Sequence, residues 1–262
     1  MTLIVGIKCS DGVVMGADGA ATFGALGTRT IRQPMRKLTV ISDCAVIGVS
    51  GPGSLAQQFA SIISVLLPEL QQSMADHLVA LRLQQSLWVA AGEAFSIARV
   101  AQQTIGQVAL ESALSGSVLA LPVAGVLRLY QFSQQCAPEE ATVDLPFVAV
   151  GSGQSIADPF LAFLRKVFWP KRLPTVADAR LATFWTLSHC IETNPGGVAD
   201  PKQMITITQN DQGCDIREST GPELLEYEQH IAQAVDYLGK FQELMRPETI
   251  ESPSTEPPMP QP

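Results

Sequence analysis

Apolar residues crowd the chain in short runs before they spread into helical spacing. Residues 2–9 (TLIVGIKC) and 12–18 (GVVMGAD) are β-rich runs joined at Ser10-Asp11-Gly12. Asp-Gly between apolar runs marks a hairpin, because the pair accepts the backbone angles of a tight turn. Residues 19–34 carry three glycines and read as a loop plus an edge strand. A second hairpin is expected from 37–42 (KLTVIS) and 44–50 (CAVIGVS) around Asp43. GPGS at 51–54 then punctuates the chain ahead of two long helices, over about 54–75 and 77–105. Pro68 is expected to kink or split the first of these.

Strand character returns at 117–122 (SVLALP) and 125–133 (GVLRLYQFS), followed by a polar loop at 134–143 and a strand at 146–150. GSG at 151–153 precedes a helix over about 154–168, and Pro174 starts another over 175–192. A last strand pair (203–209, 213–217) and an amphipathic helix (222–245) complete the pattern. The order is strands, two helices, strands, two helices, strands, helix. That is not the alternation of a doubly wound fold. It predicts an α+β chain with antiparallel sheets and paired helices, forming one domain over 1–245. Residues 246–262 (RPETIESPSTEPPMPQP) hold too little apolar surface to order themselves and read as a disordered tail.

Composition narrows the function classes. Of 262 residues, 46% are hydrophobic and 16% charged, enough apolar material for a large core. The net charge of −8 gives no electrostatic reason to expect nucleic acid or an anionic membrane as a partner. Apolar runs stop short of the ~18 residues a spanning helix needs, and no charged leader precedes the first run, so a cytoplasmic protein is expected. The five cysteines stand singly, without a C-x-x-C pair, and read as reduced buried thiols.

Chemistry can be sought at the first residues. Removal of Met1 would expose Thr2, whose own α-amine could serve as base for its hydroxyl, since the amine titrates near working pH. A small second residue that merely eases Met1 removal is the commoner reason for such a start. Asp18 and Lys37 could tune such a site: a cation near the amine favours its neutral form, and a carboxylate holds the cation in place. Taken singly, Asp18 reads equally as a turn residue and Lys37 as a solvated strand end. Gly51, between strand and helix, could offer its N–H to an oxyanion or simply connect them. GVSGPG (48–53) falls short of a serine nucleophile elbow because Pro52 stands where a glycine belongs, and His77, His189 and His230 have no evident relation to Ser50. GSGQSI (151–156) lacks the ending of a phosphate loop and reads as a tight turn before a helix.

Together, TLIVGIKCSDGVVMGAD, DGAATFG, MRKL, GVSGPG, VAVGSGQSIADPFLAFL and CIETN resemble the β-type subunits of proteasomes, and HslV-type bacterial proteases in particular. The likeness runs from Thr2 to about residue 210. It implies an N-terminal nucleophile (Ntn) hydrolase, a four-layer αββα sandwich of two antiparallel sheets between helix layers. It further implies that Thr2 is the nucleophile, Asp18 the strand-end aspartate, Lys37 the essential lysine, Ser152 the serine bonded to the amine, and Gly51 the oxyanion-hole glycine. Thr22 and Gly51 would pair with substrate backbone, while Met35, Val49 and Gly53 would line the specificity pocket. Backbone carbonyls of Cys190 and Thr193 match a monovalent-cation (Na or K) site, and no other cofactor is implied. The activity implied is a threonine-type endopeptidase in a homo-oligomeric ring or double ring. Unfolded chains or peptides would be its substrates and an AAA+ unfoldase its partner. LQQSLWVAAGEAFSIARV (83–100) offers an apolar helix face for such assembly, although packing within the subunit accounts for it equally.

Departures from the pattern mark a divergent bacterial branch, such as the proteasome homologue of β-proteobacteria. Leu3 replaces a second threonine, and the Asp18–Lys37 stretch is longer than usual, with Pro34 just before the lysine. Glu192 and Pro195 stand where the wider family has Asp-x-x-Ser ahead of the paired glycines Gly196-Gly197. A catalytically silent ring scaffold and an Ntn amidase for small substrates remain alternatives to the peptidase.

Overall fold

The computed structural model describes residues 2–23, 31–71, 76–106, 109, 113–194, 198–210 and 213–245. The first apolar run forms β1 (Leu3–Lys8), and the chain turns at Asp11 into β2 (Gly12–Asp18), with Ile4 opposite Ala17 and Lys8 opposite Val13. Asp11 has a second use: its Oδ1 accepts the Val176 N–H at 2.8 Å, fixing the start of a later helix. The glycine-bearing stretch is more regular than the expected loop and edge strand. β3 (Ala20–Phe23) and β4 (Ile31–Pro34) pair as a two-stranded sheet of their own. Pro34 closes β4, a strand-end position where its missing N–H costs no ladder bond.

β5 (Leu38–Ser42) and β6 (Ala45–Ser50) form the second hairpin. β7 (Gly116–Val123), β8 (Val126–Phe132) and β9 (Pro138–Glu140) extend it into a five-stranded sheet in the order β5-β6-β7-β8-β9. β9 lies inside the stretch expected to be polar loop. Glu140 draws it to the sheet by pairing with Arg128 at 2.9 Å and Lys8 at 3.3 Å. β10 (Phe147–Gly151), β11 (Lys202–Asn210) and β12 (Gly213–Glu218) complete the other sheet, ordered β10-β1-β2-β11-β12.

Period-2 alternation sorts the strand residues into two cores. Leu3, Val5 and Ile7 point outward onto α3 (Gln154–Phe168) and α4 (Val176–Thr193). Ile4, Val13, Met15 and Ala17 point inward and meet Leu38, Val46, Val118, Ala120 and Leu129 of the opposite sheet. On that sheet's far face, Ile47, Val49, Leu119 and Leu121 pack under α1 (Gly53–Gln71) and α2 (Asp76–Ile105). The result is the expected αββα layering. Strands covered on both faces need apolar residues at nearly every position, which is why these runs lack a polar alternation. Each large aliphatic side chain so buried contributes about 1.5–3 kcal/mol.

Pro68 does not split α1. It sits in the last turn, and both it and Ser64, the residue whose carbonyl it cannot bond, are exposed. α2 divides the apolar residues of 83–100: Leu83, Leu87, Ala91 and Ala98 are buried, while Trp88, Val89, Phe95, Ile97 and Val100 face outward. Among the described residues no helix is long and apolar enough to cross a membrane. All five cysteines are free thiols. The tail read from 246 onward lies outside the described residues.

α5 (Gly221–Leu244) is attached through Leu224, Tyr227 and Ile231, which pack on the α3–α4 core. Its start is held electrostatically. The Glu223 carboxylate accepts the Thr220 N–H at 2.8 Å and pairs with Arg180 at 3.1 Å and Arg217 at 2.6 Å. The Thr220 amide above all, then Arg180, holds this carboxyl down at about 2. A carboxyl lowered in the folded state adds stability above its unfolded pKa of about 4.3 and loses it as pH falls toward 2. Glu223→Gln keeps an acceptor for the Thr220 N–H but removes the charge facing Arg180 and Arg217, and is therefore expected to lower the thermal midpoint at pH 7 by an amount matching about 1 kcal/mol. Thermal unfolding of both proteins between pH 7 and pH 3 should show the gap narrowing as the pH falls.

Candidate active site

The end of β2 and the start of β1 meet at one carboxylate. Asp18 is the last residue of β2 and has no exposed surface. Its Oδ1 accepts the Leu3 N–H at 2.8 Å and the Lys37 ammonium at 2.7 Å. Its Oδ2 accepts the Ala20 N–H at 3.4 Å and the Ala199 N–H at 3.3 Å. Lys37 itself is only 6% exposed along its side chain. One oxygen thus shares its lone pairs between the residue after Thr2 and the lysine, which places the ammonium beside the chain's first residues. The extra length between Asp18 and Lys37 does not displace the lysine: the β3–β4 hairpin returns to its starting point, with Met35 N–H bonded to Gly19 O at 2.7 Å.

Thr2 is 9% exposed and precedes β1. Its backbone nitrogen donates to Ser152 Oγ at 3.1 Å, and the same hydroxyl donates to Thr2 O at 3.3 Å. Ser152 reaches it because β10 pairs with β1, setting Gly151 opposite Leu3. Gly151 adopts φ +100°, and a Cβ there would lie 2.2 Å from Thr2 O and 2.9 Å from Ser50 Oγ. The residue must be glycine for the 50–53 and 151–153 loops to meet at Thr2. Gly51, with φ +142°, is similarly constrained, since a Cβ would press on Leu114 O at 2.9 Å.

A cleft of about 690 Å³ opens in front of these groups. Thr2, Met35, Lys37, Val49, Gly51 and Gly53 all line it, so the nucleophile, lysine, oxyanion and pocket candidates share one space. Met35 Cε lies 3.8 Å from where a Gly53 side chain would begin. Ala20 and Ala21 of β3 form one wall. Thr22 continues that strand opposite Arg32, and its side chain lies outside the described residues. Ser152 sits behind Thr2, in a neighbouring cleft.

Cys190 and Thr193 lie apart, in the last turn of α4. Carbonyls at a helix C-terminus lack helical partners and carry partial negative charge, a donor type that suits a hard monovalent cation. Cys190 O already accepts the Asn194 N–H at 2.9 Å. Pro195, Gly196 and Gly197 lie outside the described residues, and among those described no cluster of His, Cys, Asp or Glu could hold a metal ion.

Comparison with known proteins bears on the fold. Residues 2–76 match the proteasome subunit family. Anbu (ancestral beta-subunit) from Yersinia bercovieri aligns over 95% of this chain and 100% of its own, at 14% identity and a TM-score of 0.64. The fold is proteasome-like. The Anbu complex from Pseudomonas aeruginosa, described as a helical assembly, aligns over 95% of this chain and 100% of its own at 15% identity and TM-score 0.66. A (Gly-1) mutant of Anbu from Hyphomicrobium sp. strain MC1 covers 92% and 97% at 15% identity and TM-score 0.65. No curated protein matches the chain. The narrower HslV-type likeness rests on the sequence motifs alone.

Two contributors to this site escape the sequence. Gln203 Oε1 accepts the backbone N–H of Lys37 at 2.8 Å and of Leu38 at 3.4 Å, fixing the lysine's backbone. It does so because β11 pairs with β2, putting Gln203 opposite Ala17. Ala199 bonds Asp18 for the same reason, as Lys202 lies opposite Asp18 itself. Sheet order was the missing signal. Removing Lys37 would strand a fully buried carboxylate. Lys37→Met is expected to cost about 3–5 kcal/mol in denaturant unfolding, and the double variant Asp18→Asn/Lys37→Met to recover part of it.

Proposed function

We propose that the protein is a threonine-type peptidase that works from Thr2 after removal of Met1, within an oligomeric ring. The observation that carries this reading is the shared Asp18 oxygen, which joins the buried Lys37 ammonium to the peptide nitrogen next to Thr2. A cation held there keeps a free Thr2 amine neutral, able to take the proton from Thr2 Oγ, directly or through water. Oγ then attacks the substrate carbonyl. The Gly51 N–H donates to the oxyanion, a contribution worth about 2.7–4 kcal/mol where one such donor has been removed in other enzymes. The C–N bond breaks as the amine returns the proton to the leaving nitrogen, and water hydrolyses the resulting ester to regenerate Thr2. Ser152 positions the amine through its 3.1 Å bond. A monovalent cation on the Cys190 and Thr193 carbonyls would brace the segment leading to Ala199.

Assembly supports the same reading from a different side. The outward residues of α2 (Trp88, Val89, Ile97, Val100) and the free end of α5 (Leu238, Phe241, Leu244) leave apolar surface for neighbouring copies. Burial of these faces in a ring or double ring would enclose the sites, restrict access to unfolded chains and call for an AAA+ unfoldase. The same faces favour the second reading, a silent ring scaffold, because they would assemble without catalysis.

Intact mass of the purified protein, before and after a peptide epoxyketone or boronate, tests both. The peptidase reading expects loss of Met1, one adduct per chain, and cleavage of fluorogenic peptides or casein that Thr2→Ala and Lys37→Ala abolish. Retained Met1, or a free Thr2 that neither labels nor turns over an acyl donor, leaves the scaffold.

A further inference from the structure

A second cleft of about 740 Å³ adjoins the first at Ser50 and Gly51, and among the described residues its lining carries no ionisable side chain. Four serines and four glutamines contribute, among them Ser50, Ser115, Gln131, Ser133, Ser152 and Gln154. Besides Ser152, which is bonded to Thr2, two of these are held in place. Gln154 Nε2 donates to Asp158 Oδ2 at 3.1 Å, leaving its amide oxygen to accept, and Ser133 Oγ accepts the Gln135 and Ala137 N–H groups at 3.3 Å.

We propose that this cleft binds the leaving, C-terminal side of the cleaved peptide and selects uncharged polar residues there. The inference rests on the peptidase reading and extends it to specificity. The direction follows from proton transfer. The Thr2 amine must hand its proton to the departing nitrogen, so that nitrogen leaves on the amine's side. The amine's partner is Ser152, which belongs to the second cleft and not the first. Thr2 and Lys37 face the first cleft, which is left to the acylating segment. Ser50 and Gly51 form the ridge between the two: Gly51 lines the front cleft, Ser50 the rear. Leu114, Gln134 and Gln135 continue the rear cleft into an apolar groove along α2, beside Trp88 and Phe95, so a chain of several residues has a path onward.

The chemistry of the lining sets the selection. Hydroxyl and amide groups can satisfy a peptide backbone or a Ser, Thr, Asn or Gln side chain. A Lys, Arg, Asp or Glu would lose hydration and meet no counter-charge among the described lining residues. A difference of about 1.4 kcal/mol would make the discrimination tenfold.

The test uses internally quenched peptides with one common N-terminal half and Ser-Gln, Glu-Glu or Lys-Lys directly after the scissile bond. A coumarin amide of the same N-terminal half, which has no leaving peptide, is the reference. The expected wild-type result is a kcat/KM about tenfold higher for Ser-Gln than for either charged peptide. Gln131→Lys, with Gln154→Lys as a second variant should the first fail to fold, is expected to raise the Glu-Glu to Lys-Lys ratio about tenfold. It should shift the peptide-to-coumarin ratio as well. An active enzyme that cleaves all three peptides alike, or variants that leave both ratios in place, overturns the assignment while the peptidase reading stands. No cleavage and no covalent label with Thr2 free overturns both.

Discussion

A carboxylate with no access to water dictates the arrangement of this protein's first forty residues. Burying Asp18 would be prohibitive without partners, and it has four: three backbone N–H groups and one ammonium. These partners come from the starts of β1 and β3, from Ala199 before β11, and from the lysine ahead of β5. The ion pair therefore works as a locating pin between segments far apart in the chain. Its desolvation cost explains why the lysine cannot wander to solvent, and its geometry explains why the lysine stands near Thr2 despite a longer intervening hairpin.

Much of this was legible in the residues. Asp-Gly and Asp43 announced the two hairpins, and GSG announced the helix that follows β10. The apolar runs without polar alternation were consistent with sheets covered on both faces. The undetermined part was long-range pairing. Nothing local says that β10 returns to β1 or that β11 returns to β2, yet these pairings bring Ser152, Ala199 and Gln203 to the site. Local chemistry also misled in two places. Pro68 is tolerated in an exposed last turn, where the residue it deprives of a bond, Ser64, is exposed as well, and the charged run at 138–140 pairs as a strand because Arg128 and Lys8 receive Glu140.

The layering separates two tasks. The sheet-to-sheet core of Ile4, Met15, Val46 and Leu129 holds the strands rigid, and the strand ends at Thr2, Asp18, Ser50 and Gly151 then carry the groups that converge. Helix faces take the other task. α2 and α5 each pack one side on the subunit and leave apolar residues on the other, so the outward apolar faces and the cluster around Thr2 lie on different surfaces. Likeness to Anbu at 14–15% identity fits this division, since a shared fold can persist while surfaces and clefts diverge.

The two hydrogen bonds between Thr2 and Ser152 have a practical corollary for handling the protein. They clamp the backbone on either side of the Thr2 Cα, in a position where the residue is nearly covered. Polypeptide fused ahead of Met1 would continue from the nitrogen that Ser152 holds, at the junction of the two clefts. An affinity handle at the amino end would therefore crowd the Thr2–Ser152 clamp, whereas one placed after Met245 departs from an exposed turn.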